Sequence, residues 1–521
     1  MDLIWNLCLL QYILQRCRQY IIFVYKIIMS VKVQICRRLK DLTRDDLEKL
    51  TKTELVEKVI QLQSYNRQLK NILHKKLNES DNGDVIKLTE SGELSKDSGT
   101  EGIEGIETMP TTEPNQEKSS SRKFDFSKTF KRHVLLKFLY FGWDYQGFAC
   151  QEDSNNTIEF HLFKALTRTC LIESRSSANY HRCGRTDKKV SAFCQVISID
   201  LRSKFPEKQQ FEESCLEKEI DYCGIMNRVL PKNIRCISWM PIRNHLFSAR
   251  FDCITRTYRY FFPKGNLNIT AMQDACKLLQ RHTDFRNLCK MDVHNGVTNY
   301  VRHIEAANVR LCPHENESKN KGYAMHYLEI KANAFLWHQI RCIMTVLLLI
   351  GQEKEEPSVI NELLNVEKNP CKPQYTPAMG FPLNLYHCEF RDKSEQKAMS
   401  ESQQGRRDLR DLTKWLHNEN NLRRLIEILQ SEWSQAQIKA TMVRSTLYDL
   451  EQLLEKEFNA IDVNFQTSLL QDNVKSKSYQ KLMSRKRCES LNNRIEHFVK
   501  KQRLTVPKQK DSVEEQELSM P

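Results

Sequence analysis

The stretch Tyr180-His181-Arg182-Cys183-Gly184-Arg185-Thr186-Asp187-Lys188-Lys189-Val190-Ser191-Ala192 is a short polar segment leading into an apolar strand. It sets one carboxylate two residues after an arginine. A carboxylate beside a guanidinium stays ionised and pre-oriented, which suits a nucleophile or base working on a bound substrate. Alone, Arg-Thr-Asp is a weak signal, because such triplets occur in many loops. Its reading depends on what surrounds it.

On the N-terminal side, residues 133–141 alternate as a strand, with Val134, Leu136, Phe138 and Tyr140 on one face. A glycine-containing loop follows over 142–151. Asn156 with Glu159 has the spacing of a capping box. Behind it Ile158, Leu162, Ala165, Leu166 and Thr169 keep helical spacing. On the C-terminal side, residues 195–201 read as a strand. In a further strand Arg256, Tyr258, Tyr260 and Phe262 share a face, while Arg259 points the other way. A tyrosine among arginines can stack on a base while the cations hold phosphates. An isolated R-x-Y-x-Y reads better as a cross-strand aromatic in a half-buried sheet.

Residues 334–351 are apolar on nearly every face and end in a glycine suited to a C-cap, which predicts a helix buried in the core. Arg341 falls in its first half. A buried guanidinium needs an acid, and Glu329 is one candidate for a purely structural ion pair. His338, three residues earlier, is placed to line the same pocket.

The chain has 521 residues, enough for two or three folded units. Its 80 Lys+Arg against 66 Asp+Glu give a net charge of +14, which points to a polyanion such as nucleic acid, or to a basic but inert surface. The 18 cysteines are scattered singly, with no C-x-x-C pair for zinc or redox work. They read as reduced thiols of a cytosolic or nuclear protein. Cys488 and His497 read as structural residues, not as metal ligands. Residues 3–14 are apolar but interrupted by Asn6 and Gln11, too short to span a bilayer and poor as a signal peptide. Residues 16–40 are basic without an acid, a feature of mitochondrial presequences, and Met29 is a second candidate start besides Met1. Leu55, Val59, Leu62, Leu69 and Leu73 form under three heptads, with Asn66 in the gap. That fits a weak dimerising coil or a solvated amphipathic helix.

Taken together, several segments resemble the TruA family of pseudouridine synthases. They are Tyr140-Phe141-Gly142, Tyr145-Gln146-Gly147-Phe148, Gly184-Arg185-Thr186-Asp187, Asn227-Arg228-Val229-Leu230-Pro231, Phe247-Ser248-Ala249-Arg250, Arg256-Thr257-Tyr258-Arg259-Tyr260 and residues 335–341. Three more (residues 179–187, 284–292 and 369–375) are similar to the eukaryotic branch that modifies tRNA positions 38 and 39. So is a late piece, 479–501. The resemblance implies an α+β pseudouridine synthase fold. In it two ferredoxin-like (RRM-like) subdomains form a mixed, mostly antiparallel sheet, flanked by helices and holding a central basic cleft. It implies Asp187 as the catalytic carboxylate, Tyr258 packing against the target base, and Arg185 and Arg341 lining the pocket, with Arg341 paired to Asp187. His338 and Arg256 join them as substrate-binding candidates. The implied reaction is isomerisation of uridine to pseudouridine in the tRNA anticodon stem-loop. It needs no cofactor, metal or group donor. A homodimer without membrane association is expected, in nucleus and cytoplasm, with a mitochondrial address as the rival expectation.

The expected organisation is a basic and apolar extension (1–40), a helix or short coil (41–78), a disordered linker poor in aromatics (79–124), and two catalytic subdomains (125–248 and 249–392). A charged extension follows (393–503), with helices over 409–433 and 443–458, and then a disordered tail (504–521). The basic runs at 484–487 and 500–503 read as nuclear signals, RNA contacts or solvated charge. One departure from the family stands at Lys189, where glycine is usual; if the backbone there takes a positive φ, lysine costs about 1 kcal/mol. Cys194 also replaces a common small glycine. These departures keep a second reading open, a tRNA-binding or folding factor without catalysis. A related synthase acting elsewhere on tRNA is a third reading, and an interaction protein working through its coil and tail is a fourth.

Overall fold

The computed structural model describes residues 124–151, 154–293, 296–313, 315–316, 322–391, 395, 411–459 and 478–501. The expectations for 1–40, 41–78, 504–521, nearly all of the 79–124 linker and much of 393–503 lie outside them.

Among the described residues nine strands form one sheet: β1 (Phe130–Tyr140), β2 (His181–Arg182), β3 (Ser191–Ser203), β4 (Ile234–Pro241), β5 (Cys253–Pro263), β6 (His282–Asp284), β7 (Val301–Leu311), β8 (Met325–Ala332) and β9 (Leu383–Phe390). Their order is β4-β1-β3-β9-β5-β8-β7-β6, with β2 also on β3. Neighbours run antiparallel except at one place. There β3 and β9 pair parallel, through Ser191 with Asn384 and Ala192 with Leu385. The sheet is thus mixed and mostly antiparallel, as expected. β1 and β3 are buried on both faces, whereas β5 alternates buried and half-buried residues. Tyr258, Tyr260 and Phe262 are buried together on one face of β5.

The helices are α1 (Ile158–Arg168), α2 (Glu213–Glu217), α3 (Tyr222–Val229), α4 (Ile269–Leu279), α5 (Gln339–Gly351), α6 (Val359–Leu364), α7 (Glu419–Phe458) and α8 (Leu491–Lys501). α1 packs on α3 and α3 on β4, while α4 bridges β7 and α5. Among the described residues no helix is long and apolar enough to cross a membrane.

Three expectations need correction. The capping box at Asn156 does not form. α1 is capped one residue later by Thr157, whose hydroxyl accepts from the Phe160 amide at 3.3 Å. Asn156 instead donates to the Asp144 carbonyl at 2.7 Å, and Glu159 turns inward. The core helix starts at Gln339, not at 334, because His338 adopts a left-handed conformation, φ +56°. Gln339 holds that start by accepting from the Leu336 amide at 2.8 Å. Arg341 therefore sits in the first turn, at the mouth of the core. Finally, the two helices expected over 409–433 and 443–458 are one 40-residue helix, preceded by an extended segment whose Leu416 bridges Trp239. The residues between them, Ser434-Gln435-Ala436-Gln437-Ile438-Lys439-Ala440-Thr441-Met442, include several good helix formers, so nothing ends the helix there.

Candidate active site

Asp187 lies in the turn between β2 and β3, and the backbone of that turn is clamped from both sides. From the loop after β1, the Phe148 amide donates to the Thr186 carbonyl, and the Tyr145 carbonyl accepts from the Lys189 amide, both at 3.1 Å. The Tyr140 hydroxyl meets the Thr186 hydroxyl at 2.8 Å, and the Gln195 amide donates to the Gly184 carbonyl at 3.0 Å. Gly147 has φ +110°, and a Cβ there would come 3.1 Å from the Thr186 carbonyl oxygen. Opposite, a Cβ on Gly380 would reach the Lys188 carbonyl oxygen at 2.7 Å. These glycines let two backbone segments close on the turn.

The Asp187 Oδ2 atom lies 3.8 Å from Arg341 Nη1 and 3.5 Å from His338 Nε2. Arg341 is itself aimed by the Ala378 carbonyl, which accepts from its Nε at 2.6 Å, and its Nη1 stands 3.2 Å from His338 Nε2. Glu329, the rival acid, is occupied elsewhere, 2.8 Å from Arg259. Burial pushes the Asp187 carboxyl above its usual range, and Arg341, the Trp337 indole and Lys290 only partly offset this. The expected lowering by the neighbouring guanidinium is thus outweighed by burial, because the pairing is long. Burial, with Arg341, Lys290 and Lys372 adding to it, pulls His338 down to about 3. Its contact with Asp187 is therefore that of a neutral imidazole, not an ion pair.

Tyr258 is buried, and a Cβ on Gly184 would come 3.9 Å from its hydroxyl. Its ring meets Phe335 edge-on at 5.2 Å. Arg185 is exposed and held beside the like charges of Arg182 and Arg250. Arg256 takes a different place. Its guanidinium donates to the carbonyls of Cys183, Arg250, Cys253 and Asn333 at 2.6–3.3 Å, tying the turn to β5.

The structure thus brings Asp187, Arg341 and His338 together, with Tyr258 next to Gly184 of the same turn, Arg185 exposed, and Arg256 bound to the turn's backbone. Two neighbours escaped the sequence reading. Trp337 is exposed and approaches Asp187, and Lys290 lies 4.2 Å from the Trp337 ring. Both lie in segments singled out for the resemblance, which was the signal that could have found them. The late segment also docks here: the Cys488 amide donates to the Lys372 carbonyl at 2.7 Å and the Gln374 amide to the Lys486 carbonyl at 2.9 Å.

A carboxylate set against a neutral imidazole and a guanidinium, in a turn that also adjoins a buried tyrosine, is equipped for nucleophilic or proton-transfer work on a bound base. Residues 275–391 match the family described as tRNA pseudouridine synthase. The tRNA pseudouridine(38/39) synthase of Mus musculus is 44% identical over 410 residues, which span 74% of this chain and 81% of that protein. Its namesake in Homo sapiens is 43% identical over 413 residues, with the same 74% and 81% spanned. That of Saccharomyces cerevisiae is 38% identical over 279 residues, 52% of this chain and 61% of the yeast protein. The chain belongs to the tRNA pseudouridine synthase family. It is an isomerase acting on tRNA.

Proposed function

We propose that this enzyme isomerises the uridines at positions 38 and 39 of the tRNA anticodon arm, with Asp187 as the catalytic carboxylate. The observation that carries the reading is the meeting of Asp187 with His338 and Arg341 at 3.5 and 3.8 Å. A stacked base is out of reach of such a pocket, so the uridine must flip out of its helix. The C1′–N1 bond then breaks, the base turns, C1′–C5 forms, and the proton leaving C5 is balanced by one gained at N1. Asp187 serves as nucleophile or as base in this exchange. Tyr258 packs on the flipped base, and Arg341 and His338 set the electrostatics of the carboxylate. Arg185, with Arg250 nearby, offers cations to phosphates at the rim, and exposed Trp143, Trp337 and Phe381 offer faces on which unpaired bases stack.

We further infer that the β4-β1-β3 and β9-β5-β8-β7-β6 groups of strands act as two ferredoxin-like halves around a basic cleft for the anticodon stem-loop. The apolar side chains exposed along α7, among them Trp433, Met442, Leu450 and Phe458, support a homodimer. The unpaired thiols of all 15 described cysteines fit the nucleus and cytoplasm.

A second reading, a tRNA-binding factor without catalysis, rests on Lys189, which holds the strained φ of +65° two residues after Asp187. One experiment separates the two. Unmodified tRNA is incubated with wild type and with Asp187→Asn, and pseudouridine is mapped base by base. Conversion at 38 and 39 by wild type alone, with both proteins binding tRNA, supports the enzyme. Tight binding without conversion by wild type supports the factor, and full conversion by Asp187→Asn removes Asp187 from its role.

A further inference from the structure

Apart from the pocket, buried thiols converge where β3, β5, β9 and the segment ahead of Gly184 meet. Cys183, Cys253 and Cys388 are 3%, 7% and 4% exposed, and their sulfurs all lie within 4.8 Å of one another. Cys183 Sγ is 3.4 Å from Cys388 Sγ. Cys194, on β3, adjoins them: the Cys388 thiol donates to its carbonyl at 3.2 Å, while the Cys194 sulfur falls outside that mutual 4.8 Å group.

Two cations face this cluster. Lys137 is flanked electrostatically by the thiols of Cys194 and Cys388. Arg256 is flanked by those of Cys183, Cys253 and Cys388, and its hydrogen bonds go to carbonyl oxygens. Among the described residues neither cation forms an ion pair with a carboxylate. Arg256 is satisfied by four carbonyl oxygens and the Lys137 ammonium lies 4.1 Å from the Trp415 ring, so both stay charged beside the thiols. Two cations beside the cluster favour thiolates gathered on a metal ion. A tetrahedral zinc site places sulfurs about 2.3 Å from the ion and about 3.8 Å from each other, a spacing that the sulfurs of Cys183, Cys253 and Cys388 approach already.

We propose that Cys183, Cys253, Cys388 and Cys194 form a closed, structural site for a thiophilic divalent ion, zinc being the fit. Four thiols lose their protons as the ion binds. The resulting tetrathiolate carries a net charge of two negatives, which Arg256 and Lys137 match. The ion has no open position and touches no reacting atom. Its work is to rivet β3, β5 and β9 together and to fix Cys183, four residues ahead of Asp187. No C-x-x-C spacing announces it, because each ligand comes from a different segment.

The test uses the full chain, expressed with zinc in the medium and purified without chelator. Elemental analysis is expected to find about one zinc per chain, as a closed tetrathiolate site holds a single ion. Replacement by cobalt is expected to give sulfur-to-cobalt charge-transfer bands in the near ultraviolet and strong visible bands of tetrahedral cobalt. The Cys253→Ser and Cys388→Ser variants lose both signals. Cys276→Ser, which alters a fully buried thiol outside the cluster, keeps them. A wild type that carries no zinc and yields no cobalt–thiolate spectrum overturns the proposal. So does a wild type whose Cys183 and Cys388 are joined as a disulfide, or metal retained in the Cys253→Ser/Cys388→Ser double variant. The cobalt spectrum of wild type needs no variant to fold.

Discussion

Asp187 and Arg341 meet at 3.8 Å although they are carried by opposite sides of the β3–β9 junction. One hangs from the turn before β3; the other opens the helix that follows β8. Neither side alone has the pair.

The raised pKa of Asp187 gives the reaction an acid limb. A carboxylate that must be ionised to act is lost as pH falls through its folded pKa, so activity fails on acidification sooner than for an exposed aspartate. The same shift means that ionising Asp187 costs folding free energy as pH rises through that window, so Asp187→Asn is more stable than wild type at neutral pH. Arg341→Met removes a group that lowers the pKa. It should move the acid limb to higher pH and, by misplacing the carboxylate, reduce turnover roughly 100-fold. Conversion rates measured against pH test this, and an unmoved limb in Arg341→Met would contradict it.

His338 governs acid stability. Its folded pKa of about 3 lies below the ordinary 6.5. The unfolded chain therefore takes up this proton first, and stability is lost as pH falls from 6.5 toward 3. Asn tolerates the left-handed backbone that His338 adopts. His338→Asn should therefore flatten the decline in urea midpoint below pH 6.5. Equal slopes in the two proteins would show that another group sets the decline.

Lys189 holds a conformation that glycine adopts freely. Lys189→Gly should raise stability by up to about 1 kcal/mol, less whatever the unfolded chain gains in entropy. Since its amide, not its side chain, bonds the Tyr145 carbonyl, turnover should hold or rise. Denaturant midpoints and single-turnover rates check both parts, and a destabilised variant would count against strain at this position.

Glu159 is fully buried, with Arg175 Nη2 at 3.1 Å, Arg182 adjoining, the Tyr180 hydroxyl donating at 2.6 Å and the Cys150 amide at 2.9 Å. Burial alone would raise its pKa, but Arg182 and Arg175 outweigh that and hold it below the usual range. Its contribution is present above the ordinary value of 4.5 and lost as pH falls through the depressed one. Glu159→Gln should cost about 3 kcal/mol, read from denaturant midpoints. A cost below about 1 kcal/mol, the worth of a surface pair, would mean the cluster is solvated.

Much of the site was legible because its chemistry is local in sequence. Asp187, Tyr258, His338 and Arg341 sit in compact motifs, and the need of a guanidinium in a core helix for an acid held. Glu159 was misread as a cap, since spacing cannot tell a first-turn glutamate facing water from one turned inward to meet arginines. The thiol cluster was invisible for a related reason: its members are adjacent only after four segments fold together. The long α7 was divided in two because charge patterning marks exposure, not helix ends.

The parallel ladder between β3 and β9 is only two residue pairs long. Hinge-like loosening at that short seam would separate the carboxylate from its guanidinium while leaving both flanking sets of strands hydrogen-bonded. The molecule thus has a route to lose chemistry without losing its structure, and ligands that bridge the seam would close that route.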